Sequence, residues 1–103
     1  MRYKTKELLK LEKSRWSLFT DDLDTCMFCG GIATELNEIF RGRTRRNSMK
    51  YGAVQPLCHR CHTKITDNVE LETKWKVKGQ EKVMEYFKMT TEEFIEIFGK
   101  NYI

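Results

Sequence analysis

The chain has 103 residues, four cysteines, and 19 Lys+Arg against 15 Asp+Glu, giving a formal net charge of +4. A domain this small buries a thin core and commonly needs a staple, and the net charge alone is too mild to argue for a partner. The opening MRYKTKELLKLEK lacks the apolar run of a secretory signal, and no stretch has the length of a bilayer-spanning helix, so we expect a cytoplasmic protein with no membrane partner.

With one proline and six glycines there is no linker and no low-complexity tract, so residues 1–103 read as a single domain. Residues 3–13 have helical character, and RWSLFT (15–20) suits an extended segment; together they form an N-terminal arm over 1–20. CMFCGG (26–31) reads as a metal-binding knuckle, because glycines after the second cysteine let the backbone turn its amides toward sulfur. ATELNEIF (33–40) is expected to hold a short strand, RGRTRRNSMKYG (41–52) a polar, basic loop, and AVQPLC (53–58) a second short strand. From His59 or Cys61 the chain is expected to become helical.

The last third, 67–103, predicts two helices. Val69, Leu71, Trp75, Val83, Met84 and Phe87 recur at helical spacings, although Gly79 weakens the middle of the run. Thr90 and Glu93 fit a capping box and Gly99 a C-terminal stop, which predicts a helix over 91–98 burying Phe94, Ile95 and Phe98. Trp16 and Trp75 are assigned to the core.

The cysteines form two CxxC pairs, Cys26/Cys29 and Cys58/Cys61, with none left over. In a reducing compartment such pairs are more often metal ligands than disulfides. Zinc takes four thiolates tetrahedrally at about 2.3 Å, and each CxxC turn is short enough to offer both sulfurs to one ion. A closed four-cysteine site stabilises the fold and performs no chemistry. Cys58 to His62 also satisfies the C-x-x-C-H spacing of haem attachment. Haem would leave Cys26 and Cys29 without a function, so we expect zinc and no haem. A redox pair is weaker still, because no βαβ pattern surrounds either CxxC.

His59 reads as an exposed or hydrogen-bonding side chain beside the metal. His62 could be either a satisfied hydrogen-bonding group or a ligand aimed at a separate divalent ion. From Ile39 to Thr66 there are seven basic residues, Arg41, Arg43, Arg45, Arg46, Lys50, Arg60 and Lys64, and no acidic one. A solvated charged face is the ordinary explanation of such a run, but a 28-residue segment with no compensating acid points to phosphate contacts with nucleic acid.

The order CxxCG, a strand ending in Leu-x-x-Ile, an Arg-rich stretch with Ser and Tyr-Gly, then Pro-Leu-Cys-x-x-Cys-His resembles the HNH, or ββα-metal, endonucleases. It is most similar to small phage and prophage proteins with two zinc-binding CxxC units, over roughly residues 15 to 103. The resemblance implies an α+β fold, a zinc-stabilised ββα-metal (HNH-like) core over 21–66 with flanking helices, and a bacterial host cell. It also implies a DNA partner, double-stranded or branched, and a Mg²⁺ or Mn²⁺ ion if the chain is catalytic. The family's strand histidine, a general base, is replaced here by Asn37, an expected loop asparagine by Thr44, and a further helix histidine by Thr66. Asn37, Glu38 and His62 are then the candidate catalytic positions. An amide has no lone pair basic enough to replace imidazole, so the sequence predicts degraded or weak phosphodiester hydrolysis. Glu38 could act as base or ligand, but pairing with a neighbouring arginine is the expected role. A second reading is a non-catalytic inhibitor or regulator that binds a host protein through the zinc scaffold.

Overall fold

The computed structural model describes residues 6–103. It has the element order α1 (Lys6–Lys13), β1 (Glu35–Glu38), a 3₁₀ turn (Gly42–Thr44), α2 (Arg45–Lys50), β2 (Val54–Leu57), α3 (His59–Thr66), α4 (Val69–Phe87) and α5 (Thr91–Phe98). The molecule is a small, compact α+β protein built on one two-stranded sheet. Residues 3–5 of the expected N-terminal helix lie outside the described residues.

β1 and β2 pair antiparallel with Glu35 opposite Leu57 and Asn37 opposite Gln55. Side chains alternate across a strand, so Glu35 and Asn37 share one face of β1 and Leu36 and Glu38 the other. RWSLFT forms no strand, yet it runs beside the turn into β2. Leu18 N donates to Gly52 O at 2.9 Å, and Ser17 Oγ donates to Val54 O at 2.6 Å.

The segment 41–52 departs from the expected loop, since it forms a 3₁₀ turn and then α2. The reason is burial on one side: Ser48 and Met49 are fully or almost fully enclosed. Ser48 Oγ donates to Phe40 O at 2.7 Å and accepts from Phe40 N at 3.0 Å, so the helix is pinned to the end of β1. Asn47 Nδ2 donates to Ile97 O at 2.7 Å and ties α2 to α5.

Two apolar centres result. One gathers Ile39, Phe40, Ala53, Val83, Phe94 and Phe98 between the strands, α4 and α5. The other gathers Cys26, Leu57, Cys61 and Ile65. α4 runs unbroken through Gly79, because the glycine is where β1's exit presses on the helix. A Cβ there would meet Ile39 Cγ2 at 3.2 Å and Phe40 Cζ at 3.3 Å. α5 carries the expected capping box, with Glu93 N on Thr90 Oγ1 at 3.2 Å and Thr90 N on Glu93 Oε1 at 3.0 Å. It buries Phe94 and Phe98, spaced one turn apart, but Ile95 faces solvent, as does Val69 at the start of α4. Trp16 and Trp75 are half-buried rather than central.

Candidate functional site

The first cysteine pair sits in a turn closed by Gly30 N to Cys26 O at 3.0 Å and Cys26 N to Gly31 O at 2.8 Å. Gly30 adopts φ +76°, which brings Gly31 N to 3.4 Å from Cys29 Sγ. The second pair opens α3: Cys58 is its N-cap, and its sulfur accepts from Cys61 N at 3.5 Å. The sheet joins the two turns, since Met27 N donates to Pro56 O at 3.0 Å and Thr34 N to Leu57 O at 3.0 Å.

All four Sγ atoms lie within 4.8 Å of one another. A tetrahedron with metal–sulfur bonds of about 2.3 Å has edges of about 3.8 Å. Cys29 Sγ and Cys58 Sγ are 3.7 Å apart, which fits such an edge and is far from a disulfide bond. All four thiols are free. Cys26, Cys29, Cys58 and Cys61 are therefore positioned to hold one metal ion.

The acidities express the same crowding. Burial pushes the Cys26 thiol up, but the amides of Cys29, Cys58 and Phe28 outweigh it and hold it down at about 6. Cys61 is pushed up to about 12, first by its hydrogen bond with the Cys58 sulfur and then by burial. The acidities are driven apart in opposite directions, as expected where four like charges cannot share a small volume without a cation. A divalent ion reverses that repulsion and lets all four ionise.

The three candidate catalytic residues have three separate sets of partners. Asn37 is buried, and its Nδ2 donates to Gln55 Oε1 at 3.2 Å. Glu38 points from the other face of β1 to Arg15 Nη2 at 3.0 Å and Arg45 Nε at 3.2 Å, the arginine pairing expected for it. His62 Nδ1 lies 2.7 Å from Glu35 Oε2, and His59 Nδ1 lies 3.0 Å from Glu35 Oε1. Both imidazole hydrogen bonds hold the Glu35 carboxyl below the usual range, the one from His59 contributing most.

Glu35 is the residue that sequence reasoning missed. Its signal was its place two residues before Asn37 on the same strand face, opposite the residue that precedes Cys58.

The basic residues divide as well. Arg41 pairs with Glu72, while Arg45 pairs with Glu12 and Glu38, so acids distant in sequence answer part of the acid-free run. Arg43, Lys50, Arg60 and Lys64 are exposed and have no ion-pair partner among the described residues, whereas Arg46 has interactions of its own. Arg60 and Lys64 lie one turn apart on α3, beside an open groove of about 590 Å³ that His59 and Asn68 also line. Arg41 caps the 3₁₀ turn, Arg43 stands on it, and Arg45 and Arg46 stand on α2, in place of the expected loop. Thr44 Oγ1 bonds to Arg41 O and Thr66 Oγ1 to His62 O, both at 3.1 Å, so each hydroxyl serves its local backbone.

No protein family, no curated protein and no solved structure matches this chain. Among the described residues no helix is long and apolar enough to cross a membrane.

Proposed function

We propose that the chain is a zinc-stabilised, HNH-like DNA-binding protein of phage type whose phosphodiester chemistry is degraded or silent. The observation that carries this reading is the order of parts around the sulfur cluster. One cysteine pair precedes β1, the other opens α3, and β1, β2 and α3 follow in ββα succession between and after them. Zinc is the metal this reading assigns, because a tetrahedral all-sulfur shell suits it.

Silent chemistry follows from the site residues. Asn37 is a buried amide bonded to another amide, and neither can accept a proton near neutral pH. Glu38 is held by two guanidinium groups. A missing general base costs about 10²–10⁴-fold in rate, which leaves weak hydrolysis at most, with Mg²⁺ or Mn²⁺ as the ion it would require.

In this reading Arg43, Lys50, Arg60 and Lys64 contact phosphates. Titration of labelled duplex DNA at two salt concentrations tests it. Binding should weaken with salt, and Arg60→Ala and Lys64→Ala should each lower the salt slope by about 1. Absent or salt-independent binding overturns it. Plasmid nicking with Mg²⁺, Mn²⁺ and Ni²⁺ tests the chemistry: efficient cleavage by the natural chain, abolished in Glu38→Ala and His62→Ala, overturns the silent reading.

One observation favours the second reading, a regulator that binds a host protein. Glu12, Glu38 and Glu72 neutralise two of the arginines that the sequence assigns to phosphate. A duplex that fails to bind, together with a host protein that binds through the exposed face of α3, decides for it.

A further inference from the structure

A small cavity lies on the Asn37 face of the sheet, against α3 and α4. Asn37 and Gln55 from the two strands line it together with Ile39 and Arg41 after β1, Ile65 and Thr66 from α3, and Glu72 and Trp75 from α4. Its volume is about 10 Å³, the room that the centre of one water molecule occupies. Gln55 is fully buried; its Oε1 accepts from Asn37 Nδ2, but its Nε2 has no hydrogen-bond partner. Leaving a buried donor unanswered costs about 1–3 kcal/mol, and folded proteins rarely tolerate it.

The chemistry of the occupant follows from the two amides. Turning both through half a rotation reverses the Asn37–Gln55 bond and presents the cavity with an acceptor instead of a donor. An anion answers only the first arrangement and a cation only the second. Water answers either, and the volume suits one such molecule. We infer that this cavity holds one ordered water bound to the Gln55 amide, with the Arg41–Glu72 ion pair as part of its outer wall. Arg41 follows Phe40, three residues past the end of β1, and Glu72 lies on α4, so the pair ties the chain leaving the sheet to that helix beside the water.

The inference is independent of any nucleic-acid partner. It makes the Asn37–Gln55 pair a hydrated polar joint of the sheet, with a water that is held and not activated, since neither amide can take its proton.

Water-selective NOE and ROE spectra of the full metal-loaded chain test it, with the Gln55 side-chain amide assigned from its loss in Gln55→Met. Natural protein should show cross-peaks between that amide and water with the signs of a molecule held for longer than about a nanosecond. Arg41→Ala should shorten that residence severalfold. Absent cross-peaks, or the signs of free hydration water, overturn the inference, as does a residence unchanged in Arg41→Ala.

Discussion

Glu35 Oε2 sits 2.7 Å from His62 Nδ1, so the first residue of β1 grips the helix that carries half of the sulfur cluster. The same carboxylate holds His59 through its other oxygen. A carboxylate can only accept, so in a ring's uncharged form an Nδ1 that donates to Glu35 leaves the lone pair on Nε2. Glu35→Gln should therefore shift His62 from one tautomer toward a mixture, read from its ring ¹⁵N shifts. The stability change should stay below about 1 kcal/mol, because the pair is partly exposed to water. A tautomer ratio unmoved by the substitution would contradict the assignment.

Removing the metal should dismantle the sulfur-centred half of the molecule. Apparent binding energies of about 10–16 kcal/mol for structural zinc exceed or match the total stability of a small domain. Elemental analysis should find one tightly held ion per chain, and Cys58→Ser should bind far less. A strong chelator should abolish amide protection at Leu57 and Ile65, which pack directly on Cys26 and Cys61.

Glu38 joins β1 to α2 through Arg45 and to the segment after α1 through Arg15, with only 12% of its side chain exposed. Glu38→Ala leaves two cations with half their partners, Glu12 alone remaining to them. We expect a loss of about 1–3 kcal/mol in urea denaturation, and less for Glu38→Gln, which still accepts hydrogen bonds. A catalytic acid would instead show little stability change on removal.

Burial raises the Glu72 carboxyl, but hydrogen bonds from Arg41 and Lys76 outweigh it and hold the group below its ordinary 4.5. A depressed carboxylate contributes its stability fully above the unfolded value and loses it as pH falls through the lower folded value. Glu72→Gln should thus be less stable than the natural chain at pH 7 by about 0.5–1 kcal/mol, discounted for the exposed Arg41. That difference should begin to shrink as pH falls below the ordinary 4.5 and close once pH passes the lower folded value, measured as paired urea curves along the acid limb.

Gly52 has φ +74°, and a Cβ there would stand 2.9 Å from the Trp16 ring. Gly42 has φ +70° with open space around it. Gly52→Ala should cost about 2–4 kcal/mol, combining backbone strain with overpacking, while Gly42→Ala should cost only about 1 kcal/mol. Equal effects at the two positions would mean that the indole moves aside freely.

Much of the framework was legible in the sequence where a local signal was strong. The CxxC spacing located the sulfur cluster, Thr90, Glu93 and Gly99 marked both ends of α5, and Leu36, Ile39 and Phe40 in one segment and Val54 and Leu57 in the other gave the strands. α2 escaped because RRNSMK is polar at almost every position, and its helix is held by the Ser48 hydroxyl bonding to the Phe40 backbone, a tertiary contact that no local pattern announces. Ile95 was misassigned because α5 packs through the line Phe94–Phe98, which leaves position 95 a quarter-turn away toward water. The charge pattern was only partly legible for a similar reason: Glu12 and Glu72 reach Arg45 and Arg41 only once α1 and α4 are folded against the sheet, so counting acids along the segment does not show them. Glu35 was overlooked because an acid in a short strand has no meaning until the helix brings two histidines to it.

The cluster's sulfurs are unequally sheltered, with Cys26 and Cys61 buried, Cys58 intermediate and Cys29 open to solvent. That gradient gives disassembly a direction. With an ion in place, an oxidant or competing thiol would meet Cys29 first, and release of that one ligand would loosen the glycine turn while the buried Cys26 and Cys61 stay sheltered. Damage of this kind would begin as a loosened edge that can reseal, and become loss of the metal only when the attack reaches the second shell of protection around Cys58.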